Sequence, residues 1–351
     1  MGSILYVVAG KQFHDILSSR STNNEITLPE WPLKACERLG LKIDTLYLDK
    51  HIKLGDINNH FLQQDRITPT PKEVLERISC YKTVIYLNGH LAPIQQLISD
   101  CRMYSTSVKF IEFQHGWLVG KNTFHEYIVG GLPDVFVAWD LSSAFYARSK
   151  AQNKPIRIEI LHDILALLQI EEYTANKLKP AHDSISLLLC LSNRDFQLGY
   201  LQKDDCCELN GRLVPSYAHK LFKRLSSYGN VTVEFRGKPH DTSTKISQKP
   251  LAEQISNADL VVSTISTVSI QSFRYYRKPS AWSFQHNTSI TRQLLKSYPS
   301  IPHLINDTSI DSMISIWEKG FTPNTSVEPH VILNNELSKL PHIFGIPSSN
   351  L

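Results

Sequence analysis

What limits the folds open to this 351-residue chain is a rhythm. Short runs with apolar residues at successive positions, not only at every second one, alternate with stretches of helical periodicity. The strands expected over Ile4–Ala9, Thr83–His90, Val108–Phe113 and Asp134–Asp140 hold such runs. A strand apolar on both faces must be covered on both faces, which is the condition of a parallel sheet with helices packed on each side. Helical patterns over Trp31–Leu39, Pro71–Ser79 and Pro93–Ser99 separate these runs. Leu41–Leu48 and Ile156–Leu161 read as further strands, and Ile164–Leu178 as a helix. Strands alternating with helices imply βαβ units.

The rhythm then restarts. Lys179-Pro180-Ala181-His182-Asp183 reads as a linker, and Ser184–Leu191 as the first strand of a second sheet. Helices are expected over Leu213–Ser227, Leu251–Ala258 and Val268–Tyr276. Strands are expected over Val231–Phe235, Asp259–Val262 and Pro279–Phe284. The fold class is therefore α/β, with two Rossmann-like domains facing across a cleft. Residues 1–178 would form the N-terminal domain and 184–310 the C-terminal one. The tail 311–351, with Ile310–Trp317 helical, would pack back on the domains. A chain of this length is sufficient for two cores.

Composition narrows the function classes. The formal charge of +4 suits an anionic substrate or an anionic membrane surface, and it is too mild for a nucleic-acid signature. The six cysteines form no C-x-x-C pair, and Cys206 and Cys207 are adjacent. That spacing fits scattered thiols in a reducing compartment better than a zinc site or a disulfide framework. The opening Ser3–Gly10 is a strand followed by glycine, without the basic flank and length of a signal peptide. No run is long and apolar enough to cross a bilayer. The expected location is cytoplasmic, with peripheral contact at the inner membrane face left open. No metal-ligand cluster and no cofactor motif stands out.

Three loops hold the chemistry, and a parallel sheet places each at the carboxyl end of a strand, where open α/β sheets bind ligands. The first, Gln114-His115-Gly116, ends the strand Phe110–Phe113. His115 is a candidate general base because imidazole titrates near neutrality. Gly116 permits a sharp turn or a close ligand approach. Glu112 lies on the same strand face as Gln114 by alternation. Asn88, after another strand, is a candidate acceptor-side group. The second loop carries Arg236, Lys238 and His240, a cluster suited to a diphosphate or phosphodiester. The third places Ser263, Thr264, Ser266 and Thr267 between a buried strand and a helix start. The unpaired N–H groups and dipole of that helix favour phosphate. N-capping by Ser266 or Thr267 explains one of the four hydroxyls.

Gln-His-Gly, Lys-Pro-His and Ala-Asp-Leu-Val-Val-Ser-Thr-Ile-Ser-Thr-Val, in that order, resemble motifs of bacterial surface-polysaccharide glycosyltransferases of the GT-B type. They are similar to the His-Pro and Ser-Ser/Thr motifs of sialyltransferases and Kdo transferases. They also resemble the Trp-His-Gly and His-Pro motifs of CDP-glycerol glycerophosphotransferases. The resemblance implies transfer of a sugar, for example a nonulosonic acid from a CMP-activated donor, to a capsule, lipopolysaccharide or other surface glycan. His115 would be the catalytic group. Lys238, His240, Ser263, Thr264, Ser266 and Thr267 would bind the donor. Gln114, Gly116 and Asn88 would lie on the acceptor side. The partners implied are a nucleotide-activated sugar and a glycan or lipid-linked glycan, with no metal. Two departures stand: Asp241 replaces the proline expected after the second histidine, and Gln114-His115 replaces the sialyltransferase acidic pair. The alternatives are a polyol-phosphate transferase using CDP-glycerol or similar, a non-catalytic sugar-nucleotide-binding subunit of an assembly complex, and a nucleotide-sugar epimerase.

Overall fold

The computed structural model describes residues 4–9, 26–48, 69–87, 89, 91–104, 107–114, 133–151, 155–174, 184–191, 195–196, 201–237, 249–284, 289–319 and 328–347. The chain divides into two compact units, residues 1–168 together with 330–351, and residues 169–329.

The first unit is built on strands β1 (Ile4–Val8), β2 (Ile43–Tyr47), β3 (Thr83–Tyr86), β4 (Lys109–Phe113), β5 (Val135–Ala138) and β6 (Arg157–Ile160). They form one six-stranded sheet in the order β2-β1-β3-β4-β5-β6. Every pairing is parallel. Between the strands run α1 (Trp31–Arg38), α2 (Lys72–Ser79), α3 (Ala92–Met103) and α4 (Leu141–Ala151). The apolar runs do what their pattern demands: β1, β3 and β5 are buried at every position. Leu5, Val7, Val84, Tyr86 and Phe110 share one core with Val74 and Ile78 of α2 and with Ile94 and Leu97 of α3. Each such side chain contributes about 1.5–3 kcal/mol by leaving water.

Helix α5 (Ile164–Thr174) leads into the second unit. There β7 (Ile185–Cys190), β10 (Val231–Arg236), β11 (Leu260–Ser263) and β12 (Ser280–Trp282) form a parallel four-stranded sheet in the order β10-β7-β11-β12. Alternation on β7 shows the sandwich directly. Leu187 and Leu189 pack with Ala218, Leu221 and Leu225 of α6 (Ser216–Leu225) and Ile310, Met313 and Ile314 of α10 (Asp307–Glu318). Leu188 and Cys190 pack on the other face with Ile255 of α7 (Leu251–Asn257). The remaining helices of this unit are α8 (Thr267–Arg274) and α9 (Ser289–Ser297).

One stretch departs from the sequence reading. Leu213–Pro215, read as the start of a helix, belongs to an antiparallel hairpin of β8 (Cys206–Leu209) and β9 (Arg212–Pro215). Two causes act together. Asn210 and Gly211 both take positive φ, 51° and 76°, the geometry of a two-residue hairpin turn. Val214 precedes a proline, which disfavours the helical conformation there, so α6 begins only after Pro215.

The chain ends with α11 (Pro329–Phe344), whose Leu333, Leu337, Leu340, Ile343 and Phe344 are buried. From His330 onward it belongs to the first unit. Its last carbonyls lack intrahelical donors, as at any helix end. Thr83 Oγ1 donates to the Phe344 carbonyl at 2.8 Å, and Lys109 Nζ to that of Ile343 at 2.7 Å. The Phe344 ring meets Phe113 edge-on at 6.2 Å, and Phe113 meets Trp31 at 5.1 Å.

Candidate functional site

In the second sheet the chain moves from β7 outward to β10, then crosses back to β11 on the other side. The switch point is therefore between β7 and β11, and the residues just beyond their carboxyl ends are the natural ligand position. Asp195 follows β7, and Ser263–Thr267 closes β11 and opens α8. Thr264 Oγ1 donates to Asp195 Oδ2, which ties the two strand ends together. Both side chains are buried, at 1% exposure each.

The four hydroxyls of the turn have different roles. Ser263 Oγ donates to the Thr264 carbonyl at 2.9 Å and lies 2.7 Å from Ser269 Oγ, which reaches the Ala281 carbonyl at 3.1 Å. Thr264 has its single proton on Asp195. Ser266 is the N-cap of α8, accepting from the Val268 N–H at 3.3 Å. Thr267, half-buried, is the first residue of the helix. A hydroxyl donates only one proton. Ser263 and Thr264 thus shape the turn, Ser266 caps the helix, and Thr267 opens its first turn.

Of the basic cluster, Arg236 is described. Its guanidinium donates to the Lys249 carbonyl at 2.9 Å and to Gln254 Oε1 at 2.8 Å, and Gln254 Nε2 donates to Glu234 Oε2 at 3.2 Å. Lys249 pairs with Glu234 as well. Arg236 therefore anchors the approach to α7. Burial pushes the Cys190 thiol, at the end of β7, up to about 12, with Arg236 opposing. That thiol is neutral at physiological pH and unreactive. Lys238 and His240 lie outside the described residues.

In the first unit, His115, Gly116 and Asn88 lie outside the described residues. Gln114 is buried, and its carboxamide is committed: Oε1 accepts from the Trp139 N–H at 2.8 Å and Nε2 donates to Ser143 Oγ at 3.1 Å. It clamps the end of β4 to the start of α4. A recess lined by Trp31, Phe113, Trp139 and His162 lies beyond β4, β5 and β6, and its enclosed volume of about 10 Å³ suits one water rather than a sugar ring.

Glu112 is the residue that pattern reasoning undervalued. It is 1% exposed, and Oε1 accepts from the Gly89 N–H at 3.1 Å. Burial holds its carboxyl well above the usual carboxylate range, with the Gly89 hydrogen bond opposing. The signal was a lone acid between Ile111 and Phe113, in a strand buried at every position after Lys109. Asp195 gave no such signal, because Ser192, Asn193 and Arg194 before it in sequence are polar as well. No group of three or more His, Cys, Asp or Glu side chains that could hold a metal ion occurs among the described residues.

No protein-family model matches the sequence, and a search of curated proteins gives no match. Solved structures do match. UDP-GlcNAc 2-epimerase of Methanocaldococcus jannaschii superposes with a TM-score of 0.56 at 9% identity, covering 98% of this chain and all of that one. The fold is GT-B. Its two Rossmann-like domains correspond to the two parallel sheets described above. Other GT-B structures align over similar lengths with lower scores. They are a glycosyltransferase of kitacinnamycin (TM-score 0.48, 11% identity, 96% of this chain and 95% of that one) and the wall teichoic acid polymerase TagF (0.45, 11%, 97% and 90%). No helix among the described residues is long and apolar enough to cross a membrane.

Proposed function

We propose that this protein is a glycosyltransferase that takes a sugar from a nucleotide-activated donor and adds it to a surface glycan. The observation that carries the reading is the turn Ser263–Thr267: an internally bonded, hydroxyl-rich turn opening a helix at the switch point of the second sheet. A donor's phosphate there would meet the N–H groups of α8 and the Thr267 hydroxyl, with Lys238 and His240 supplying charge-assisted hydrogen bonds. These groups would stabilise the leaving nucleotide phosphate. Ser263 and Thr264 would act by holding the turn, and Ser266 by capping the helix. His115 would accept the proton of the acceptor hydroxyl. Gly116 and Asn88 would line the acceptor side, and Gln114 would fix the strand end from which His115 departs. The donor we favour is CMP-activated, on the strength of the Lys-Pro-His and Ser-Thr-Ile-Ser-Thr motifs.

A thermal-shift screen against CMP, CDP, UDP and GDP tests the donor site. A nucleotide present at 100 times its Kd stabilises the folded protein by about 2.7 kcal/mol, which raises Tm by several degrees. No shift with any of the four rejects a nucleotide site. His115→Ala should lower transfer by about 10²–10⁴-fold with the shift retained. Unchanged turnover removes His115 from catalysis. A phosphodiester instead of a glycosidic product would assign a polyol-phosphate transferase.

The second reading is a nucleotide-sugar epimerase, because the archaeal structure that shares this fold is a UDP-GlcNAc 2-epimerase. Conversion of a nucleotide sugar without any acceptor would establish it.

A further inference from the structure

We propose that Glu112 is a positioning residue of the first domain's site, the buried anchor that holds the turn after β3 in place. What the turn serves rests on the glycosyltransferase reading, but the anchoring does not.

The first sheet has its own switch point. The chain goes from β1 out to β2 and returns to β3 on the opposite side, so the residues beyond β1 and β3 occupy the ligand-binding edge. Gly89 lies three residues past the end of β3 and is held from two sides. Its N–H donates to Glu112 Oε1 at 3.1 Å, and its carbonyl accepts from Gln95 Nε2 of α3 at 3.3 Å. The approach is so close that any Cβ here would force the Glu112 carboxyl to move. A Cβ at this position would stand 2.4 Å from Glu112 Oε2 and 2.5 Å from its carboxyl carbon. Side chain and glycine thus form one packed unit, with the carboxyl inserted where another residue would carry its Cβ.

Burying a carboxyl at this position is costly unless it does something. Among the described residues Gly89 is its one hydrogen-bond partner, and Glu112 Oε2 has none. An ionised carboxylate so placed would be disfavoured, so burial shifts the group toward its protonated form. The titratable neighbour facing it is Tyr86, opposite Glu112 in the β3–β4 register. Burial raises the Tyr86 phenol far above its ordinary range, and Glu112 adds to this, with Asp134 raising it further and Arg102 of α3 lowering it. Glu112 is the acid of this set that lies within the core. Its folded pKa exceeds the unfolded value of about 4.3. The stability it confers is therefore fully present below that value and is lost as pH rises through the folded pKa. Ionisation would place a charge in the core beneath the turn, which burial disfavours even though the Gly89 N–H would hold the carboxylate more strongly.

The test uses the 351-residue chain. Glu112→Ala should lower kcat/KM by about 10²-fold through misplacement of the turn. Glu112→Gln, which keeps the shape and the acceptor oxygen, should restore most of it. Glu112→Gln should also abolish the alkaline limb of the pH–rate profile and flatten Tm against pH. The infrared band of a protonated carboxyl, present in the native protein at neutral pH, should vanish in this variant. Gly89→Ala should lower both Tm and turnover, and adding Glu112→Ala should recover Tm but not turnover. An identical alkaline limb and infrared spectrum in native protein and Glu112→Gln would overturn the proposal, as would full activity and Tm in Gly89→Ala. If no transfer is found but the infrared and Tm differences appear, the anchor stands and the functional reading falls.

Discussion

Thr264 and Glu112 each hold a turn at a strand end through a hydrogen bond inside the protein. Thr264 has given its proton to Asp195 across the β7–β11 switch point, so its contribution is the position of the turn. Thr264→Val keeps the shape and deletes the hydroxyl. It should lower stability by roughly 1–3 kcal/mol, the worth of a buried hydrogen bond to a carboxyl group, read as a lower urea midpoint at constant m. Thr267→Val should do the opposite: stability nearly unchanged and nucleotide affinity reduced several-fold in the thermal-shift assay. If the two variants behave alike, the division between turn-building and ligand-facing hydroxyls is wrong. At this scale the types of residue were readable and their duties were not. Four hydroxyls in five positions announce a turn at a helix start, but which protons are spent inside the protein depends on Asp195, about seventy residues away.

At the scale of elements, local chemistry decides where structure starts and stops. Pro71, Pro215 and Pro250 each sit immediately before a helix, with φ near −54° and extended ψ, so the fixed proline ring launches α2, α6 and α7. Asn306 and Ser309 form a reciprocal cap at the start of α10. The β8–β9 hairpin depends on its Asn-Gly turn. Gly211 has open space where a Cβ would go but holds φ at 76°, so Gly211→Ala meets backbone strain and no clash. It should cost about 1 kcal/mol. Denaturant unfolding measures this, and an unchanged midpoint would show that the turn relaxes freely. The hairpin was legible in Asn210-Gly211, yet Leu213–Ser227 was read as one helix because its apolar spacing suits either element until Pro215 is weighed.

At the scale of the molecule, the first domain is assembled from both ends of the chain. Helix α11 returns to it after the whole second unit and places Phe344 against Phe113, one residue beyond Glu112 on β4. Phe344→Ala removes a buried ring from this contact and should cost about 3–5 kcal/mol. Because the cost falls on one unit, urea unfolding should become biphasic, with the first domain melting earlier and the second unmoved. A single cooperative transition shifted as a whole would show that the two units unfold together.

Periodicity alone settled the class of this protein. Runs apolar on both faces that alternate with helical stretches fit a parallel sheet covered by helices, and a rhythm that restarts near residue 184 fits a second such sheet. Those conclusions are local, since each follows from residues within one turn or one strand. Contacts between segments far apart in sequence decided the rest. The Glu112 carboxyl beneath Gly89, Thr264 on Asp195 and α11 on the first domain all join such segments. A strand's own pattern reports that its side chains are buried, but not what they are buried against.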